Sequence, residues 1–178
     1  MASGSLLLDL GVPVILRLRN VTRKSWQKTS IQYEDGDHQV TIPILLDTSC
    51  LLAMVDTTSS SHRSTVAIIR SRKYRRIIPA PVLPEVSHLL SRRMGHSVMR
   101  SFFANLAIEK PPIEDLMSQD YERVASILRE YADLRLDFAD AAILSLAERL
   151  EVQHILTLDR RDFRVLRPKH CEYLELLP

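Results

Sequence analysis

The sequence predicts an α/β fold built on a mainly parallel sheet, and three features predict it. From residue 44 onward, short apolar runs of strand character alternate with stretches whose apolar residues recur at helical spacing. A length of 178 residues with 46% hydrophobic content suits one well-buried core. No internal repeat or low-complexity tract interrupts the alternation.

The first strand is ILLD, residues 44–47. A helix follows over 62–72, then a second strand in RRIIPA (75–80). PVLPEVSHLLSRRM (81–94) is a helix with proline at its start, where a missing N–H costs least. Gly95 breaks it, and 96–106 form the next helix. LAIEKP (106–111) reads as a short strand and 113–134 as one long helix or two, with Leu116, Tyr121, Val124, Ile127, Leu128 and Tyr131 at helical spacing. In LDFADAAILSLAERL (136–150), Ile143, Leu144, Ala147 and Leu150 form an apolar stripe, while Ala141 and Ala142 permit close approach to a sheet. HILTLD (154–159) is a strand, RRDF a helical turn, and EYLELL (172–177) the last strand.

Residues 1–41 read as an N-terminal extension. ILRLRNV and QVTI alternate as strands do and EDGD can turn a hairpin, but the segment has no core of its own. Val40 directly precedes TIPILLDTS, and a valine codon can serve as a start, so the native chain is expected to begin there; the competing reading is an arm that contacts a partner. LLLDLGVPVIL is apolar, yet it lacks a basic leader and a small-residue cleavage site and is interrupted by Asp9 and Pro13. Neither export nor membrane spanning is expected. Cys50 and Cys171 are too few and too far apart for a disulfide framework or a zinc site, which fits a reducing cytoplasm.

The formal net charge of +2 hides clustering. Arg70, Arg72, Lys73, Arg75 and Arg76 lie close together, with Arg92, Arg93 and Arg100 soon after. Such a run makes either a phosphate-facing surface or a solvated helix face and loop.

The acids carry the chemistry. ILLDTSCLLA (44–53) holds one carboxylate, Asp47, in an aliphatic run, where it is expensive to bury. In an open parallel sheet, strand carboxyl ends and the amino ends of the following helices share one edge, where ligands bind. Asp47 ends the first strand and Asp159 ends HILTLD. Glu85 lies in the first turns of the helix after RRIIPA, and Asp140 in the first turn of the helix beginning near Asp137. Topology therefore brings four carboxylates to one rim. Without a counter-charge their pKa values would rise and couple; a divalent cation removes the difficulty. All-oxygen ligands suit Mg²⁺ or Mn²⁺, and none of the six histidines has zinc-ligand spacing. Such an ion acidifies a bound water and stabilises charge on a phosphoryl group.

Each residue has a plainer role beside this one. Asp137 fits an N-cap or an outer contact to a metal, with Asp140 in the capping-box position. Asp140 also suits the helix dipole. Asp159 fits a cap on RRDF, Glu85 an exposed helix position, Asp162 a surface turn, and Asp47 an N-cap. Thr48 and Ser49 suit either capping or a hydrogen bond to the ligating carboxylate, and Thr157 either strand packing or the same service beside Asp159.

ILLDTSCLLA, VLPEVSHLL, LDFADAAILSLAERL and TLDRRDF, in this order and at these separations, resemble the PIN-domain ribonucleases, most closely the VapC-like toxins of bacterial type II toxin–antitoxin pairs. The resemblance covers residues 42–178. It implies a PIN-like three-layer α/β/α fold with Asp47, Glu85, Asp140 and Asp159 as metal-binding catalytic acids. It further implies Mg²⁺- or Mn²⁺-dependent endonucleolytic cleavage of RNA, a homodimer, and neutralisation by a small antitoxin with a segment in the active-site groove. Arg70, Arg72, Lys73, Arg75, Arg76, Arg92 and Arg93 become candidate RNA-backbone contacts, which position RNA without specifying its sequence. The N-terminal extension is a departure, since such toxins usually lack one.

Other readings fit less well. A haloacid-dehalogenase-like phosphatase needs a second Asp where Ser49 stands, and a receiver domain needs an acidic pair and a late lysine that are not evident. A PIN-like module that binds RNA or protein without cutting would have to lack metal affinity despite a complete acid set.

Overall fold

The structure, a computed structural model, describes residues 41–134 and 136–178. The readings for residues 1–40 lie outside the described residues. In chain order the elements are β1 (Ile42–Leu46), α1 (Thr48–Val55), α2 (His62–Arg70), β2 (Tyr74–Pro79), α3 (Leu83–Met94), α4 (His96–Glu109), β3 (Ile113–Glu114), α5 (Ser118–Glu130), α6 (Phe138–Arg149), β4 (His154–Leu156), α7 (Arg160–Phe163) and β5 (Glu175–Leu177). A 3₁₀ turn, Ala80–Val82, joins β2 to α3.

All strand pairs are parallel, in the order β3-β2-β1-β4-β5. β1 is central, with Ile44, Leu45 and Leu46 fully buried, because both faces are covered and alternation gives way to a continuous apolar run. Connections from β1 to β2 to β3 run one way across the sheet and those from β3 to β4 to β5 the other. Right-handed crossovers then put α1–α4 on one face and α5–α7 on the opposite one, which makes the three-layer α/β/α architecture. Burial agrees: every residue from Ala141 to Ala147 on α6 is buried, and Leu51, Val86 and Leu90 of α1 and α3 are closed against the core.

Two ion-pair groups lock α5 to α6. Arg123 binds Glu148 with Nε at 2.7 Å and Nη2 at 2.8 Å. Arg149 reaches Asp120 and Glu114, each at 2.9 Å. These pairs fix the helix whose first turn carries Asp140.

One expected strand is absent. LAIEKP does not pair; Leu106 to Glu109 continue α4, because Leu106 repeats the buried position of Phe102 one turn on. Lys110 then adopts the left-handed conformation at φ 46°, and Pro111 and Pro112 prevent further helix. The strand falls at Ile113–Glu114, opposite Ile78 and Pro79, so α5 begins at Ser118 rather than at 113.

Candidate active site

The strand order reverses between β1 and β4, which leaves a crevice at their carboxyl ends. Asp47 follows β1 there, is 6% exposed, and its N–H donates to Leu156 O at 3.1 Å. Its carboxylate caps α1: Oδ1 accepts from Thr48 N at 2.6 Å and Oδ2 from Ser49 N at 3.3 Å. Oδ2 also accepts from Ser49 Oγ at 2.6 Å and from Thr157 Oγ1 at 2.8 Å. Leu158 N donates to Ser49 Oγ at 2.8 Å, so the hydroxyl that orients Asp47 is itself held by the chain leaving β4. Among the described residues Oδ1 takes a single donor, which leaves it lone-pair capacity toward the cavity.

The structure selects among the roles open to these residues. Asp47 caps α1, Ser49 hydrogen-bonds its carboxylate, and Thr157 serves the carboxylate of Asp47 while meeting Asp159 through its backbone N–H rather than its carboxylate. Thr48 turns the other way and donates to Glu85 Oε2 at 2.7 Å, joining the first turn of α1 to the first turn of α3. Asp137 is the N-cap of α6, accepting from Asp140 N at 2.9 Å. Asp159 caps α7, accepting from Arg161 N at 3.4 Å, and its own N–H donates to Thr157 Oγ1 at 3.0 Å. Asp162 binds the neighbouring Arg161 at 2.9 Å.

Asp47, Glu85, Asp137, Asp140 and Asp159 all line one cavity of about 410 Å³. Burial pushes the Asp140 carboxyl up to about 7, helped by the charges of Asp137, Asp47, Asp162 and Asp159. An uncompensated negative potential of this kind seeks a cation. Among the described residues, no three His, Cys, Asp or Glu side chains are already gathered as a group arranged to hold a metal ion. The carboxylates share a cavity, while Asp47 and Glu85 lean on hydroxyl donors. The donors that face the cavity are hard oxygens, which fits Mg²⁺ or Mn²⁺ and not a thiolate-seeking ion. Cys50 lies behind Asp47 with Sγ donating to Asp47 O at 3.0 Å, and burial followed by the Asp47 charge pushes its thiol up, so it packs rather than reacts.

The cavity continues between α1 and α3, where Asp56, Ser59, Leu89, Arg93 and Met94 line it. Of these, only Arg93 is prefigured in the sequence reading. Asp56 had a signal: an acid followed by two threonines after an aliphatic helix marks an Asx turn, and Thr58 donates to Asp56 Oδ1 through N at 2.9 Å and Oγ1 at 2.6 Å, holding the carboxyl low.

The basic residues divide. Arg93 lines the cavity and Arg92 is exposed one residue earlier on the last turn of α3. Arg70, Arg72, Lys73 and Arg75 stand where α2 ends and β2 begins, at the amino edge of the sheet and away from the acids. Arg76 is not a surface cation: its Nη1 donates to Ile69 O, satisfying a carbonyl of the last turn of α2.

Among the described residues no helix is long and apolar enough to cross a membrane. Residues 44–167 match the model of the PIN domain. Over 125 residues the chain is 33% identical to Ribonuclease VapC26 of Mycobacterium tuberculosis, which covers 70% of this chain and 93% of that protein. The crystal structure of Mycobacterium tuberculosis VapC20, a Sarcin-Ricin loop cleaving toxin, aligns with a TM-score of 0.63 at 20% identity, over 76% of this chain and 99% of that one. VapBC2 from Rickettsia felis, bound to a DNA fragment from its promoter, aligns at 0.57 and 15% identity over 76% and 97% of the two chains. A toxin–antitoxin complex from Klebsiella pneumoniae aligns at 0.52 and 19% over 74% and 98%. The acids stand at the crevice of a five-stranded parallel sheet within the span that the family model covers, and the chain belongs to the PIN domain family.

Proposed function

We propose that this protein is an endoribonuclease that uses Mg²⁺ or Mn²⁺ to hydrolyse RNA phosphodiester bonds, and that it is the toxin of a type II toxin–antitoxin pair. The observation that carries the reading is the single cavity lined by Asp47, Glu85, Asp140 and Asp159, drawn from four separate elements of a PIN-family chain. The relationship to Ribonuclease VapC26 supports RNA as substrate. The fold shared with VapBC and toxin–antitoxin complexes supports an antitoxin partner.

Asp47, Asp140, Glu85 and Asp159 would hold the cation. When bound, it would supply Lewis-acid stabilisation of the phosphoryl charge and acidify a water. The chain's own part is positioning. Ser49 and Thr157 orient Asp47, Thr48 orients Glu85, and the Asp137 cap sets the first turn of α6 so that Asp140 faces the cavity. Burial and the neighbouring carboxylates raise the Asp140 carboxyl to about 7, so proton and cation compete for it and cation affinity is expected to rise with pH through about 7.

A homodimer is supported by half-exposed apolar side chains, Ile113, Met117, Tyr121 and Phe138, the last two of which line a cleft with Pro81 and Leu116.

The test incubates the purified chain with structured and unstructured RNAs, with Mg²⁺, Mn²⁺ or chelator, beside Asp47→Asn and Asp140→Asn. Cleavage that needs the cation and disappears in both variants is expected. Equal cleavage by the wild type and both variants would trace the activity to a contaminant and end the assignment.

A further inference from the structure

The amino edge of the sheet has cations that the acid cavity does not use. Arg70, Arg72 and Lys73 are exposed, and neither they nor Arg92 form a salt bridge among the described residues. Their backbone is held in place. Lys73 O accepts from Ile42 N at 2.8 Å, Lys73 N donates to Ser71 Oγ at 3.2 Å, and the Arg76 guanidinium ties β2 to the end of α2. Like charges crowded on a rigid turn repel one another, which makes the run a standing site of positive potential rather than a self-satisfied network.

The acid cavity extends toward this edge along α1 and α3. The Thr48 bond to Glu85 pairs the first turns of α1 and α3 at the carboxyl edge. From there the two helices run side by side along the sheet, and the residues of their later turns, Ala53, Asp56 and Arg93, line the same cavity as Asp47 and Asp140. The cavity therefore reaches from the acid cluster to Arg93 on the last turn of α3, beside the exposed Arg92, and α3 runs back from the carboxyl edge in the direction of the edge where Arg70, Arg72 and Lys73 stand. Acids lie at one end and cations at the other, with the length of β2, roughly 20 Å, between them.

We propose that RNA lies along this path, its scissile phosphate at the carboxylates and its backbone continuing through the α1–α3 groove to an anchor at Arg70, Arg72 and Lys73. The proposal rests on the ribonuclease reading and adds a substrate class to it: RNA that extends several nucleotides to one side of the cut. The anchor touches phosphates and so contributes affinity and not sequence choice.

Binding and cleavage separate the two readings. Fluorescence anisotropy with inactive Asp140→Asn reports binding of a labelled trinucleotide and of an oligonucleotide long enough to reach both edges; cleavage of both is followed with the active chain. Arg72→Gln combined with Lys73→Gln is expected to weaken binding of the long RNA roughly tenfold at low salt, and to flatten the slope of log K against log salt by about 1.4, for two lost single-strand phosphate contacts. KM for the long RNA rises while kcat holds, the trinucleotide is unaffected, and the charge-keeping swap Arg72→Lys with Lys73→Arg restores binding. Unchanged long-RNA affinity and salt slope, or an equal loss on the trinucleotide, would overturn the path. If length-dependent binding responds as expected but the active chain cuts nothing with Mg²⁺ or Mn²⁺, the anchor stands and the ribonuclease reading fails.

Discussion

Thr157 Oγ1 donates to Asp47 Oδ2 at 2.8 Å, tying the residue that follows β4 to the residue that follows β1 across the point where strand order reverses. The same oxygen accepts from Asp159 N at 3.0 Å, so one hydroxyl orders two of the four acids. Thr157→Val keeps the shape and removes the bond. It is expected to lower stability by about 1 kcal/mol and Mn²⁺ affinity by roughly tenfold. Thermal unfolding and calorimetric Mn²⁺ titration read the two effects, and Thr157→Ser should recover most of both. Wild-type affinity in the valine variant would show that Ser49 alone positions Asp47.

Asp140 sets a pH dependence. Its folded-state pKa stands at about 7 against an ordinary 3.8, so between those values the folded chain binds more protons than the unfolded one. Its share of stability is therefore greatest at low pH, falls as pH rises through that window, and levels off above about 7. Asp140→Asn removes the penalty: without divalent cations the variant should be more stable than wild type at pH 8, by about 2 kcal/mol after allowance for partial exposure, and the gap should close toward pH 4. Mn²⁺ should raise the wild-type Tm and leave that of the variant nearly unchanged. A pH-independent gap in chelator would remove Asp140 as the titrating group.

The Arg149 fork is structural. It binds Asp120, whose side chain is 5% exposed, and Glu114, and its Nη2 donates to Asp115 O at 2.8 Å. Arg149→Ala strands a buried carboxylate and is expected to cost roughly 3 kcal/mol in urea unfolding. Replacing Asp120 by Asn at the same time should recover part of that loss, because the unpaired charge goes with it. A loss below about 0.5 kcal/mol, the scale of ordinary surface substitutions, would class the fork with solvent-exposed pairs.

Tyr121 is 55% exposed and Phe138 47%, and both border the cleft beside the carboxyl edge. If the proposed homodimer forms through this cleft, Tyr121→Glu should convert it to a monomer in sedimentation velocity, since the contact would then bury an unpaired charge. An unchanged sedimentation coefficient would remove this cleft as a self-association surface.

Much was legible in the chain's order. In a parallel sheet, direction alone decides which edge a residue occupies, so an acid ending ILLD, an acid ending HILTLD and acids opening two helices had to share a rim. The same rule sends Arg70, Arg72 and Lys73 to the opposite edge, because they precede β2 rather than follow it; clustered charge by itself carries no such direction. Helix and strand boundaries were less legible. LAIE continues α4 because Leu106 packs where Phe102 does, a tertiary preference that overrides the strand-like look of the run.

By itself the sequence determined the α/β class, the edge on which the acids stand, and the hard-oxygen chemistry they offer. Tertiary structure decided which hydroxyl serves which carboxylate, since Thr48 meets Glu85 across 37 residues and Thr157 meets Asp47 across 110. It also decided that Arg76 turns inward and that the acid cavity extends along α1 and α3 to Arg93. Those outcomes depend on strand register and helix packing, which set where side chains from distant segments point, and no local pattern encodes them.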